Sequence, residues 1–297
     1  MRRAAGPCLL LAALLGAGCE QAPVPGAKPL VVASFFPMYD FARQVAGDRA
    51  QVISLVPPGV EGHDWEPSPQ DVGRVRRARV FVYNGAGFEP WADKLIREAS
   101  AGTTVVVAAS AGLAVPRPGA GGQLDPHVWL DPVLARGEVE AIRAALERGD
   151  PAGKAAYAAR ADEYGARLAA LDARFEAGLR KCARREILVS HAAFGYLTRR
   201  YRLEQIAVMG LAPQAEPSPA TLAAVVRTAR ERKVTAIFLE PLVSPKLAET
   251  LAREVGVRLL TLDPIEGVTK QEAEQGAGYL ELMARNLESL REGLGCR

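Results

Sequence analysis

Residues 151–181 read PAGKAAYAARADEYGARLAALDARFEAGLRK. Within them Tyr157, Ala161, Tyr164, Leu168, Leu171, Phe175 and Leu179 recur at steps of three and four, which places one apolar stripe on one face of a helix. A helix of about 30 residues is roughly 45 Å long at 1.5 Å per residue. Short runs rich in β-branched residues flank it: 30–34, 51–56, 79–83 and 104–108 before, then 186–190, 204–209, 234–239 and 257–262 after. Each run is followed by a helix-like stretch, the pattern of a parallel sheet covered by helices. The expected fold is therefore α/β, two lobes with parallel sheets joined by one long backbone helix. A continuous helix is a stiff rod, so large clamshell closure of the lobes is restrained.

Working outward, the helix starts carry recognisable chemistry. Ser218-Pro219 and Ser244-Pro245 place a capping Ser before Pro at the first helical position. Thr269 and Glu272 have the spacing of a capping box. Residues 132–148 read as a helix ended by Gly149-Asp150-Pro151. Glu66-Pro67-Ser68-Pro69 echoes Glu216-Pro217-Ser218-Pro219, and helix-start chemistry explains both without an internal repeat. The resulting plan is a signal at 1–18, a tether at 19–29, an N-terminal lobe at 30–150, the linking helix at 151–181 and a C-terminal lobe at 182–297.

The N-terminus supports that plan. Met1-Arg2-Arg3 is basic, and the apolar stretch 6–18 has 13 residues, short of the roughly 20 that span a bilayer. Gly16-Ala17-Gly18 leads to Cys19, as in an exported lipoprotein whose cysteine is lipidated after cleavage, although Gly16 stands where that signal prefers Leu. Plain signal cleavage after Gly18 is the alternative. Either way the chain is exported, to the periplasm or cell surface, and the Pro-rich stretch 20–29 suits a tether. Lys plus Arg number 37 against 34 for Asp plus Glu; without Arg2 and Arg3 the balance is 35 against 34. That excludes a nucleic-acid partner, which needs a concentrated basic surface. With Cys8 in the signal and Cys19 carrying lipid, Cys182 and Cys296 remain. In an oxidising compartment they form one disulfide or stay as two thiols.

The chain has only three histidines, His63, His127 and His191. His63 lies in the loop after the second run, His127 just before the helix at 132, and His191 directly after the run at 186–190. Asp263 and Glu240 also follow their runs directly. Ligands in open α/β sheets bind outside the carboxyl ends of the strands, so these positions all point to one cleft between the lobes. Three neutral imidazoles and the Asp263 carboxylate make a four-coordinate set of three nitrogens and one oxygen suited to Zn²⁺.

Four segments carry a family resemblance: Gly62-His63-Asp64-Trp65-Glu66-Pro67-Ser68, Asp125-Pro126-His127-Val128-Trp129-Leu130-Asp131-Pro132, Ser190-His191-Ala192-Ala193-Phe194-Gly195-Tyr196 and Leu262-Asp263-Pro264-Ile265-Glu266-Gly267. Phe238-Leu239-Glu240-Pro241 and Ala215-Glu216-Pro217-Ser218 add to it. Together, over about residues 29–292, they resemble the metal-binding solute-binding proteins of bacterial ABC importers, the ZnuA/TroA type. The resemblance implies two (β/α)4 lobes, a metal in the interlobe cleft, and ligand roles for His63, His127, His191 and Asp263. Members resembling manganese importers carry Glu at the third position; His191 here favours zinc over manganese or iron(II). Two further readings stay open: Asp263 as a structural acid capping the following turn, and Glu61 or a water as the fourth ligand. The His-rich loop of many zinc members is missing from residues 112–124, GLAVPRPGAGGQL, so one site is expected and no reservoir.

The expected function is that of a monomeric, non-enzymatic binding protein that captures Zn²⁺ outside the cytoplasmic membrane and hands it to the importer's permease. A manganese or iron(II) carrier, or a metal-dependent adhesin of the same fold, is the alternative within the family. A secreted zinc hydrolase is the rival from another class, with Glu66 or Glu240 as base. Against it, the chain has no His-Glu-x-x-His and no Gly-x-Ser-x-Gly.

Overall fold

The computed structural model describes residues 28–100, 102–116, 121–211 and 217–297. The signal, Cys19 and Glu216 lie outside these described residues. The first half runs β1 (Leu30–Ala33), α1 (Phe36–Ala46), β2 (Gln51–Ser54), α2 (Pro69–Arg77), β3 (Val80–Tyr83), α3 (Ala92–Ser100), β4 (Val105–Ala108) and α4 (Pro132–Gly149). Then comes α5 (Lys154–Leu179), a helix of 26 residues. The second half runs β5 (Glu186–Val189), α6 (Gly195–Tyr201), β6 (Glu204–Ala207), α7 (Pro219–Glu231), β7 (Ala236–Leu239), α8 (Lys246–Val255), β8 (Arg258–Thr261), α9 (Lys270–Glu274) and α10 (Tyr279–Leu294).

The strands build two four-stranded sheets in the orders β2-β1-β3-β4 and β6-β5-β7-β8. All pairings are parallel, with Val31 beside Val52 and Val80 in the first sheet and Leu188 beside Ile206 and Ile237 in the second. In each sheet the order reverses beside the first strand, and the loops leaving that carboxyl edge frame a cleft.

The α5 stripe is the seam between the two halves. Tyr157, Ala161, Tyr164, Leu168, Leu171, Phe175 and Leu179 are all buried, each large side chain contributing about 1.5–3 kcal/mol of burial. They join one continuous core with Val31, Phe41 and Val139 from the first half and Ile187, Phe238 and Leu287 from the second. Separate clusters lie on the outer sheet faces, around Phe81 and Leu95 in one half and around Ile237 and Leu251 in the other. Both ends of α5 are pinned. Near its start Tyr157 Oη donates to Asp150 Oδ2 at 2.8 Å, which also accepts from Arg49. At its end the Arg185 guanidinium donates to the carbonyls of Leu179 and Arg180, both at 2.9 Å, satisfying groups that have no partner within the helix. Along the rod, Arg200 makes two bonds of 2.6 Å to Asp172 and ties α6 to α5.

Ser68, Ser218 and Thr269 each cap a helix through the side-chain oxygen, and Ser68 with Asp71 and Thr269 with Glu272 complete capping boxes. Ser244 does not cap. Pro245 is itself the N-cap of α8, already in the right-handed helical region, and its carbonyl accepts from Glu249 N–H at 2.9 Å. Cys182 and Cys296 form a disulfide across 114 residues. It fastens the chain end beside β5, where Arg297 N–H also donates to the Lys181 carbonyl at 2.9 Å.

Candidate metal centre

Four loops at the carboxyl edges of the sheets deliver the site. After β2, Glu61 holds its own loop: its carboxylate accepts from the main-chain N–H of His63 at 3.0 Å and of Asp64 at 3.2 Å. The His63 ring then rests on Phe88, with centroids 4.5 Å apart. Gly62 is tightly enclosed: a Cβ there would lie 2.9 Å from the Phe88 ring of its own lobe and 3.2 Å from the Glu266 carbonyl oxygen of the other. Ahead of α4, Asp125 Oδ1 accepts from His127 N–H at 3.1 Å and lies 2.8 Å from His127 Nδ1. In the second half, Glu240 at the end of β7 plays the same part for His191, with Oε2 2.8 Å from Nδ1 and Oε1 accepting from the main-chain N–H at 3.2 Å. Both carboxylates hold the proton on Nδ1 and turn the Nε2 lone pair inward, the usual outer support of a metal-binding imidazole.

The fourth loop follows β8 and presents Glu266. Asp263 Oδ1 accepts from Ile265 N–H at 2.7 Å, closing a tight turn. Asn286 on α10 clamps the Asp263 main chain, accepting from its N–H at 2.8 Å and donating to its carbonyl at 2.7 Å. From the other lobe, Trp129 Nε1 donates to the Pro264 carbonyl at 2.7 Å. Within this clamp Ile265 sits at φ 58°, a conformation that β-branched residues avoid and that costs about 1–3 kcal/mol. The strain is spent in turning Glu266 into the cleft.

The result is a convergence on one atom. Glu266 Oε1 lies 3.1 Å from His127 Nε2, 3.1 Å from His191 Nε2 and 3.5 Å from His63 Nε2. One ligand atom from each of the four residues lies within 4.8 Å of the others, and all four side chains are buried. In a tetrahedron with bonds of about 2.0–2.1 Å the ligand–ligand edge is about 3.3 Å, and the three distances straddle that value. The structure thus brings together His63, His127, His191 and Glu266. Asp263 is not in this group: its carboxylate is engaged in the turn three residues before Glu266. Glu61 is likewise occupied with its own loop, although it lies close enough to Glu266 to feel its charge.

The electrostatics follow from this crowding. Burial opposes charge on Glu266, yet the imidazoles of His191, His127 and His63 outweigh it and hold the carboxyl well below its usual range. Burial likewise works against protonating His127 and His191, and their carboxylate partners overcome it and raise both. Asp263 and Glu61 have no such cation, so burial, with Glu266 nearby, pushes each up to about 8.

Set beside known proteins, residues 31–293 match the family described as zinc-uptake complex component A, periplasmic. The chain belongs to this zinc-uptake family. It is 37% identical over 305 residues to the high-affinity zinc uptake system protein ZnuA of Bacillus subtilis, covering 97% of this chain and 95% of that one. It is 35% identical to the zinc-binding lipoprotein AdcA of Streptococcus pneumoniae over 95% of this chain, and spans 59% of AdcA's length. The Zn(II)-bound ZnuA-like domain of AdcA superposes with a TM-score of 0.80 at 36% identity, covering 90% of this chain and 99% of that domain. The zinc-uptake family is a family of transporter binding components, and the two-sheet α/β architecture read from the strand runs is its fold.

Glu266 was within reach of sequence reading, since it stands in the same segment as Asp263. Proximity to the strand end favours Asp263, because a side chain at that edge normally faces the cleft. The signal for the later residue is Asp263-Pro264 itself. An Asp before Pro initiates a turn by accepting a main-chain N–H two residues on, which engages the first carboxylate and carries the next one forward.

Proposed function

We propose that this chain is the zinc-capturing component of an ABC-type metal importer, with His63, His127, His191 and Glu266 as ligands. The observation that carries this reading is the convergence of three Nε2 atoms and one carboxylate oxygen from four strand-end loops, two from each sheet. Zinc is the cargo, held while the lobes enclose it and passed to a membrane permease. Three imidazoles and one carboxylate favour Zn²⁺ over Mn²⁺ by donor softness and by the general order of divalent affinities. The fourth protein donor also argues against a hydrolase, since a catalytic zinc keeps a coordination position for water. Outside the membrane, Cys19 carries a lipid and residues 20–29 act as the tether, a reading supported by the sequence of the N-terminus. No helix among the described residues is long and apolar enough to cross a membrane.

The test is metal analysis of the purified protein after competition between Zn²⁺ and Mn²⁺. One zinc per chain is expected. Preferential retention of manganese would overturn the zinc assignment.

A further inference from the structure

The four donors are unequally sheltered. His127 and His191 have no exposed surface, Glu266 has 2% and His63 has 8%. His63 is also the donor that borders an open cavity of about 380 Å³, whose other walls are Asp64, Trp65, Glu66, Pro90 and Trp91. A second opening reaches Glu266 between Glu61, Glu240 and Val243, and its volume is about 10 Å³. Size separates the two. An ion with six waters occupies about 180 Å³ at roughly 30 Å³ per water. The cavity beside His63 accepts it whole, whereas the notch beside Glu266 has room for about one water.

Resting on the zinc reading above, we infer that zinc reaches and leaves the buried site past His63, through this cavity, and that Asp64 and Glu66 gather the hydrated cation at its mouth. Both acids are exposed and neighbour His63 in the chain. Trp65 and Trp91 meet edge to face across the cavity wall, with centroids 4.8 Å apart. Apolar walls beside like charges focus the field into the opening and raise the local cation concentration. The arrangement also sets an order for dehydration. His63 meets the ion first, replacing one water at the cavity floor, and the sheltered His127, His191 and Glu266 complete the set behind it. His63 is held for this task by a loop that Gly59 N–H ties across the cleft to the Val268 carbonyl at 2.7 Å and that the Glu61 carboxylate fastens from within.

Stopped-flow zinc binding to the D64N/E66Q double variant tests the route. The variant is expected to take up one zinc per chain, with an association rate constant about tenfold below wild type at low ionic strength. The difference should vanish near 1 M salt, where the Debye length is about 3 Å. An unchanged rate constant at low salt overturns the proposal, and so does a deficit that persists at 1 M. V243W, which fills the notch beside Glu266, is expected to leave the rate constant unaltered; slowing there would move the route to that side. Failure of the wild type to bind zinc at all would overturn the functional reading along with the route, an outcome distinct from full stoichiometry with unaltered rates.

Discussion

At the scale of single residues, the proposed ligand set gives two carboxylates three positions apart separate tasks, and substitution separates them. On that ligand set Glu266→Ala removes one donor of four, so zinc affinity should fall at least about a hundredfold in a competition titration with a chelator. Asp263→Asn keeps the ligand set but weakens the turn, and outer supports of metal ligands typically cost 10–100-fold. An Asp263→Asn loss larger than that of Glu266→Ala would reverse the assignment. Above about pH 5, where Glu266 is ionised in the folded and unfolded states alike, the zinc-free chain should also show a stability that falls as pH rises. Asp263 and Glu61 keep their protons to about pH 8 when folded, whereas unfolded carboxyls release theirs near 4. Protonation therefore favours the folded state, an advantage present at low pH and eroded between about pH 4 and 8. The raised His127 and His191 act in the same direction, stabilising below about 6.5 and losing that contribution as pH climbs through their folded values. Zinc needs the deprotonated ligands. The melting temperature of the zinc-free protein should thus be higher at pH 6 than at pH 8, and the increment produced by zinc should be larger at pH 8. A zinc-free melting temperature that rises with pH would contradict this electrostatic picture. The convergence of the three histidines is foreshadowed in the sequence, because one directly follows a strand and two lie in loops, with no spare histidine to compete. Glu266 was harder to read because its placement depends on Ile265 adopting a left-handed backbone, which no side-chain pattern announces.

At the scale of elements, the rod α5 and the disulfide are the parts whose loss is simplest to foresee. Leu168 is wholly buried in the seam, and Leu168→Ala should lower unfolding free energy by about 2–5 kcal/mol, measured by denaturant titration. The Cys182–Cys296 bridge closes a long loop, so Cys296→Ser should cost about 2–4 kcal/mol. Zinc stoichiometry should survive that change, since the bridge lies at the end of α10 and away from the cleft. The helix stripe and the eight strand runs were plain in the sequence because burial imposes a period on each. The pairing of the two cysteines was not, because a bridge is decided by distance in the fold and not by spacing in the chain. The start of α8 lies one residue beyond the position that Ser244-Pro245 implies, for a local reason. Pro245 already has a helical backbone and its carbonyl accepts from Glu249 N–H, which leaves Ser244 outside the helix.

At the scale of the whole molecule, two lobes in outline share one interior. Trp129 of the first half reaches the Pro264 carbonyl of the second, Tyr279 donates to the Trp129 carbonyl in return, and the α5 stripe is lined by side chains from both. A scattering measurement should therefore find little change in radius of gyration, less than about 1 Å, between zinc-free and zinc-loaded protein, because a shared core does not hinge. The same core has a consequence for how the protein comes apart. A chain cut near residue 150 would leave each fragment with half of an interior, so neither piece is a folding unit. Calorimetry of the intact protein should give one cooperative transition, its van't Hoff and calorimetric enthalpies in agreement. For all its bilobal outline, the protein is expected to melt as one indivisible solid.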